Sequence, residues 1–336
     1  MNIKKIFNDE AGVSPIVATL VLVVVAIAGA AAVGTIMGSF SSDVSGEANS
    51  ADLSSGASTE ILIAGSTTVQ PVSELMAKQY MEDNNGVKVT VQAGGSSAGI
   101  ASAGMGVVDI GAASKFVSDE DQAKFPDLNT HTIGGSAVVV ITNADNPANA
   151  TAAGVTQAGL EAIYDDDAST VNATEYVNDI VVFHRAEGSG TEETFGKYVN
   201  TDGTKNVDAA VANTVAGSLS TVDTATGNQG VLEEVASTDY AIGFVDFGFA
   251  DGDDRVIILD VDGFEATSSN VKSAVKDRLA DEGSSDDYQY DLCRPLNYLV
   301  NGEPSSVVND YLTFAKSPAA LDFFHECGYY GITELQ

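Results

Sequence analysis

The sequence predicts an α/β domain with largely parallel sheets, preceded by one apolar N-terminal helix. Short apolar or alternating runs of strand length recur between amphipathic stretches of helix length, the alternation that builds βαβ units. At four places a predicted strand end passes through glycine and small hydroxylated residues straight into a predicted helix start. Residues 11–42 carry no charge at all, which sets the N-terminal segment apart from everything after it.

Taken in order, residues 60–64 read as a short apolar strand, followed by Gly65-Ser66-Thr67-Thr68 and an amphipathic helix to residue 82. Asn84-Asn85-Gly86 is a turn, and the alternating residues 87–92 are a strand. Gly94-Gly95-Ser96-Ser97-Ala98-Gly99 opens a short helix, and residues 107–112 form a strand that ends at Ala113-Ser114. Residues 136–143 are a long apolar strand, and 156–164 a helix with Thr156 as its cap. Residues 179–184 form the strand before Arg185-Ala186-Glu187-Gly188-Ser189-Gly190-Thr191, and 192–199 the helix after it. Helices are expected at 206–216 and 230–236, a buried strand at 241–245, a turn at Asn301-Gly302, and closing helices at 307–315 and 318–327.

The bulk composition limits function. The chain has 336 residues, is 44% hydrophobic and carries a net charge of −33. That is a folding sequence with an acidic surface suited to high salt, and it lacks the basic stripe needed to neutralise nucleic-acid phosphates. Asp165-Asp166-Asp167 and Asp251-Gly252-Asp253-Asp254 lack the alternating ligand spacing of a calcium loop and read as turns. The cysteines, Cys293 and Cys327, have no metal-ligand spacing; they fit either a disulfide in an oxidising compartment or two buried free thiols. His131, His184 and His325 are scattered, with no nucleophile beside them. No metal, no cofactor and no enzymatic activity are expected.

Residues 13–40 would span roughly 42 Å as a helix, against a hydrocarbon core of about 30 Å. Ser14-Pro15 suits a helix start, while Lys4 and Lys5 before the run and Asp43 and Glu47 after it keep the N-terminus inside. A cleaved secretory signal would be shorter, and the Gly34-xxx-Gly38 spacing suits helix packing. The stretch from Asn8 to Thr19 resembles the N-terminus of archaeal type IV pilin-like proteins. That resemblance implies a leader, residues 1–12, removed near Gly12, with the helix retained as a membrane anchor or filament element. Residues 41–59 form a flexible linker with a span of about 25 Å. The acceptor sequons Asn149-Ala150-Thr151 and Asn172-Ala173-Thr174 lean towards an extracellular location.

The four strand–turn–helix segments share one chemistry. In open α/β sheets ligands bind at the carboxyl ends of strands, where helix N-termini aim N–H groups at one point. Arg185, one of four arginines in the chain, adds a guanidinium to Gly188-Ser189-Gly190-Thr191, and together they suit a small oxyanion. Each serine or threonine taken singly is equally well a helix cap; four such segments plus an arginine point to a site.

The segments Gly65-Ser66-Thr67-Thr68-Val69-Gln70-Pro71, Gly95-Ser96-Ser97-Ala98-Gly99, Asp109-Ile110-Gly111-Ala112-Ala113-Ser114 and Arg185 to Thr191 resemble, in order and spacing, the phosphate-binding proteins of ABC phosphate importers. Ala241-Ile242-Gly243-Phe244-Val245 and Cys293-Arg294-Pro295-Leu296-Asn297-Tyr298 match later segments of that family. The resemblance implies a two-lobed periplasmic-binding-protein-like fold of type II over residues 60–336, with the anion between the lobes. Lobe 1 would comprise about 60–135 and 246–336, and lobe 2 about 136–245. It further implies ligand roles for Thr67, Thr68, Ser96, Ser114, Arg185, Ser189, Gly190 and Thr191, with Thr68 giving its backbone N–H and Glu187 holding the arginine. Many family members carry an aspartate where Ser114 stands, which accepts the proton of hydrogen phosphate and rejects sulfate. Here neither Ser114 nor Ile133-Gly134-Gly135-Ser136 supplies a carboxylate, and Asp109 lies too early in its motif.

The expected function is therefore a membrane-tethered, extracellular solute-binding protein that delivers inorganic phosphate to ABC transporter permease subunits. The alternatives are a pilin-like filament subunit displaying an anion-binding domain, or a binder of sulfate or molybdate. Nucleic acid is not an expected partner.

Overall fold

The computed structural model describes residues 59–144, 155–164, 180–185, 189–199, 220–280 and 290–336. In chain order these form β1 (Thr59–Gly65), α1 (Gln70–Asp83), β2 (Val87–Ala93), α2 (Ser96–Gly104), β3 (Ile110–Ala113), α3 (Asp119–Lys124), β4 (Leu128–Asn143), α4 (Gln157–Tyr164), β5 (Ile180–Arg185) and α5 (Gly190–Val199). There follow β6 (Ser220–Ala225), α6 (Gly227–Ser237), β7 (Ala241–Asp246), α7 (Phe247–Ala250), β8 (Val256–Ile258), α8 (Ser268–Ala280), β9 (Cys293–Asn301), α9 (Ser306–Ala315), α10 (Leu321–Glu326), β10 (Tyr330–Gly331) and α11 (Ile332–Leu335). The expected helix at 206–216, the segment 13–40 and both sequons lie outside the described residues. Among the described residues, no helix is long and apolar enough to cross a membrane.

The fold is α/β and two-lobed, but its sheets are mixed rather than largely parallel. The strand order is β2-β1-β3-β9-β4-β7-β5-β6, with β8 and β10 also pairing with β4. The groups β2-β1-β3 and β7-β5-β6 are each parallel, as βαβ sequence predicts. Between them β4 and β9 run antiparallel, and β4 also meets β7 antiparallel. Strand β4 has 16 residues, twice the expected length. Its first half, Asn129 to Thr132, is polar and gives no apolar signal, yet it pairs with β9 from Leu128↔Asn301 onward. Strand β3 is shorter than expected. Asp109, just before it, turns its carboxylate onto the Leu62 N–H at 2.8 Å and so closes the sheet end instead of extending the strand.

Apolar burial divides between the two parallel groups. One cluster packs Ile61, Ile63, Val72, Met76 and Tyr311 beneath β1 and α1. The other packs Val138 to Ile141 against Leu160, Phe195, Val231 and Phe244. The Phe195 and Phe244 rings stack at 4.2 Å between centroids, with Tyr164 edge-on to Phe195 at 4.8 Å, which fixes α5 over its sheet. The Thr156 cap is present, its hydroxyl accepting the Gly159 N–H at 3.1 Å. Helix α3, which no apolar period announces, starts the same way: Ser118 accepts the Asp121 N–H at 3.1 Å.

At the carboxyl end of β1, Gly65 adopts φ +141°, and a Cβ there would strike the Ala112 carbonyl and lie 2.8 Å from the Gly99 Cα. Gly65→Ala should lower stability by about 1–3 kcal/mol, through overpacking and an unfavourable φ, read as a lower urea midpoint at unchanged slope.

Candidate anion site

Strand register gathers the site. In one parallel group Gly65 pairs with Ala112 and with Ala93, so Ser66–Thr68, Ser114 and Ser96 emerge at one sheet end. In the other, Arg185 pairs with Ala225, and Val182 with Ile242, so Arg185, Asn228 and Asp246 emerge together. Across the antiparallel seam, Arg294 lies opposite Ser136 on β4 and Asp246 opposite Val138, two residues along the same face.

The eight residues expected from sequence converge between the two sheets. Arg185, only 2% exposed, donates from Nη2 to Thr67 Oγ1 at 2.8 Å. Thr68 Oγ1 and Thr191 Oγ1, from opposite sides, stand 3.4 Å apart. Ser96 Oγ accepts the Ser114 N–H at 3.1 Å and lies 3.3 Å from Ser114 Oγ. Two serines act as caps. Ser66 Oγ accepts the N–H groups of Thr68 (3.2 Å) and Val69 (3.3 Å), and Ser189 Oγ accepts those of Thr191 (3.1 Å) and Glu192 (3.4 Å). The Thr68 N–H is thereby turned towards Ser66, and it is the Thr68 hydroxyl that enters the cluster. Glu187 lies outside the described residues.

Three further residues, not singled out from sequence, complete the cluster. Arg294 is 1% exposed and spends all four of its Nη hydrogens: Nη1 on Ser114 O (3.1 Å) and Thr191 Oγ1 (3.0 Å), Nη2 on Thr68 Oγ1 (3.1 Å) and Asp246 Oδ2 (2.6 Å). Asp246 is fully buried, its Oδ1 accepting from Ser136 Oγ at 2.6 Å and Gly248 N at 3.2 Å. Asn228 Oδ1 accepts from Arg185 Nη1 (3.1 Å) and Asp246 N (3.2 Å), while its Nδ2 donates to Thr68 Oγ1 at 2.9 Å. Signals for two of them exist in the sequence. Asp246 ends the buried strand β7 just before α7, and Asn228 follows Ala225-Thr226-Gly227 at the start of α6, so both repeat the strand–turn–helix design.

The N-terminus of α5 seals the contact. A Cβ on Gly190 would lie 2.5 Å from Ser96 Oγ and 2.7 Å from the Ser114 carbonyl oxygen. Beside it, Lys115 Nζ pairs with Glu193 of α5 and, at 3.5 Å, with Asp121 of α3. A cavity of about 250 Å³ opens here, lined in part by Lys115, Glu193, Lys197, Arg278 and Arg294. Gly190→Ala should hold the two sides apart and weaken anion binding by about 1–3 kcal/mol, read by calorimetry, with the unliganded melting temperature changed little.

Neither cysteine takes part. Both thiols are free; burial pushes the Cys293 thiol well up and Cys327, with nearby carboxylates assisting, up to about 12, so both stay protonated. Residues 251–254 form the expected turn, and Asp253 there shares Arg255 with Glu233 in a surface network.

Comparison with known proteins adds the family. A model described as a PBP superfamily domain matches residues 48–319. The phosphate-binding protein PstS of Bacillus subtilis (strain 168) is 25% identical over 290 residues, covering 83% of each chain. A substrate-binding protein from Clostridium perfringens, assigned to phosphate ABC transport and solved with bound phosphate, superposes with a TM-score of 0.65 at 27% identity, covering 81% of this chain and 99% of that one. An ABC-type phosphate transport receptor from Vibrio cholerae, at TM-score 0.57 and 24% identity over 80% and 99% of the two chains, shares the fold.

Proposed function

The chain belongs to the PBP superfamily, and on that premise we propose that it is an extracellular solute-binding protein that captures inorganic phosphate for an ABC importer. The observation that carries this reading is the convergence of Arg185 and hydroxyls from both sheets: Arg185 reaches Thr67, Thr68 faces Thr191, and Ser96 faces Ser114, with all but the half-buried Thr67 shut away from solvent. A guanidinium, hydroxyl donors and the N-terminus of α5 are the groups that hold a tetrahedral oxyanion. A relative solved with bound phosphate, 27% identical over nearly its whole length, supports phosphate as the ligand. The names of the relatives speak for binding and transport rather than catalysis.

In this reading residues 60–135 with 246–336, and residues 136–245, act as lobes that close on the anion. The proposed ligands are Thr67, Thr68, Ser96, Ser114, Arg185, Ser189, Gly190 and Thr191. Residues 13–40 tether the domain to the cell membrane, 41–59 let it range above the surface, and permease subunits take the ligand. A competition titration with phosphate, sulfate and molybdate tests the assignment. Tighter binding of molybdate or sulfate than of phosphate would overturn it.

A second reading rests on the pilin-like stretch from Asn8 to Thr19 and the Gly34-xxx-Gly38 spacing: a surface filament that displays the same domain. Electron microscopy with an antibody to the domain separates the two, since label along filaments supports the second and label confined to the membrane supports the first.

A further inference from the structure

We propose that Lys115 is a positioning residue: with Glu193 it latches the N-terminus of α5 against the opposite side of the site and sets how long the captured anion stays bound. The inference rests on the anion-binding reading above and adds to it the contact that governs release.

The contact joins the two parallel strand groups. Lys115 stands next to Ser114, just past β3, and Glu193 lies in the first turn of α5, the helix that follows β5. Gly190 and Glu193 are three residues apart and so share one face of that helix. This face is the one pressed onto the other group, since a Cβ on Gly190 would lie 2.5 Å from Ser96 Oγ. The same helix end carries Gly190 and Thr191, two of the proposed ligands, so a bond that holds Glu193 holds them too. The Lys115 side chain is buried and its ammonium donates to Glu193 Oε2. Its root is fixed as well. The Lys115 carbonyl accepts Asn297 Nδ2 at 3.0 Å, and the Ser114 carbonyl accepts Arg294 Nη1 at 3.1 Å, both from β9.

Each partner also has a neighbour on its own side. Asp121 Oδ2 of α3 lies 3.5 Å from Lys115 Nζ, and Lys197 of α5 lies 2.8 Å from Glu193 Oε1, the other oxygen of the same carboxylate. Opening the site therefore strands neither charge, and the large cost of isolating a buried ion does not arise. The bond across the site can break and re-form as the lobes open and close. Lys115 and Glu193 are both largely shielded from solvent, so salt screens their bond less than it screens a surface pair. Related complexes differ mainly in dissociation rate, which is where the loss of a latch should appear.

The test is the release of radiolabelled inorganic phosphate from the full-length chain, chased with unlabelled phosphate, alongside the association rate from rapid mixing. Lys115→Gln should release phosphate about tenfold faster, with association within about twofold of the parent. An effect confined to association overturns the inference. Glu193→Gln should also speed release about tenfold. Charge alone predicts the reverse, because removing a carboxylate near a bound anion should slow its departure. Slower or unchanged release in Glu193→Gln therefore overturns the inference, and this variant gives its answer whether or not Lys115→Gln folds. The double variant Lys115→Gln/Glu193→Gln should be at most about twofold faster than either single one, and rates that multiply to about a hundredfold overturn the latch. Lys197→Gln removes only the pair within the helix and should leave release within about twofold of the parent. Acceleration equal to that of Lys115→Gln would overturn the bond across the site as the cause. Each of these failures leaves the phosphate reading standing, whereas a parent chain that binds no phosphate overturns both.

Discussion

Arg185→Ala will weaken phosphate binding by about 2–5 kcal/mol, roughly 30-fold to several thousand-fold in affinity, as measured by calorimetry. The side chain is 2% exposed and reaches both halves of the site, with Nη2 on Thr67 and Nη1 on Asn228. Its loss therefore removes a charge-assisted donor and also releases the two groups it orders. Arg185→Lys separates these effects. It keeps the charge but not the planar fork, so it should recover part of the affinity and not all of it. Unchanged phosphate affinity in Arg185→Ala would sink the site assignment, whatever the fold.

The route from sequence to this site was open where the signal is local. Gly65 to Thr68, Gly95 to Ser97 and Ser189 to Thr191 each lie between a strand and a helix start within a few residues, and β1, β2 and β5 are where pattern places them; Ala113-Ser114 closes the shorter β3, and the next helix starts only at Asp119. The roles of single atoms within these segments were less accessible. Whether a serine caps or serves a ligand depends on which N–H is nearest in three dimensions, and Ser66 takes the Thr68 N–H that the resemblance had offered to the anion. The pairing of Arg294 with Asp246 was hidden for a different reason. They lie 48 residues apart, and they meet because β9 and β7 pair with β4 in a register that sets Arg294 opposite Ser136 and Asp246 opposite Val138, on one face of the strands. The polar first half of β4, which makes much of that register, carries no apolar period to announce it.

The same pair should govern stability. Asp246→Ala leaves the Arg294 guanidinium buried without its counter-charge and also removes the cap on Gly248 N–H and the acceptor for Ser136. Breaking one side of a buried ion pair costs about 3–5 kcal/mol, so the urea midpoint of the unliganded chain should fall steeply. The pair as a unit need not be stabilising, because both ions give up hydration to reach the interior. Asp246→Ala/Arg294→Met should accordingly be more stable than Asp246→Ala alone, with a coupling energy of order 1–3 kcal/mol from the double-mutant cycle. Recovered stability without recovered anion affinity in that double variant is the expected combination. It would mean that the buried charges are retained for what they do to the Thr68 and Thr191 hydroxyls rather than for what they add to the fold. Full additivity of the two substitutions would show instead that Asp246 and Arg294 do not act as one unit.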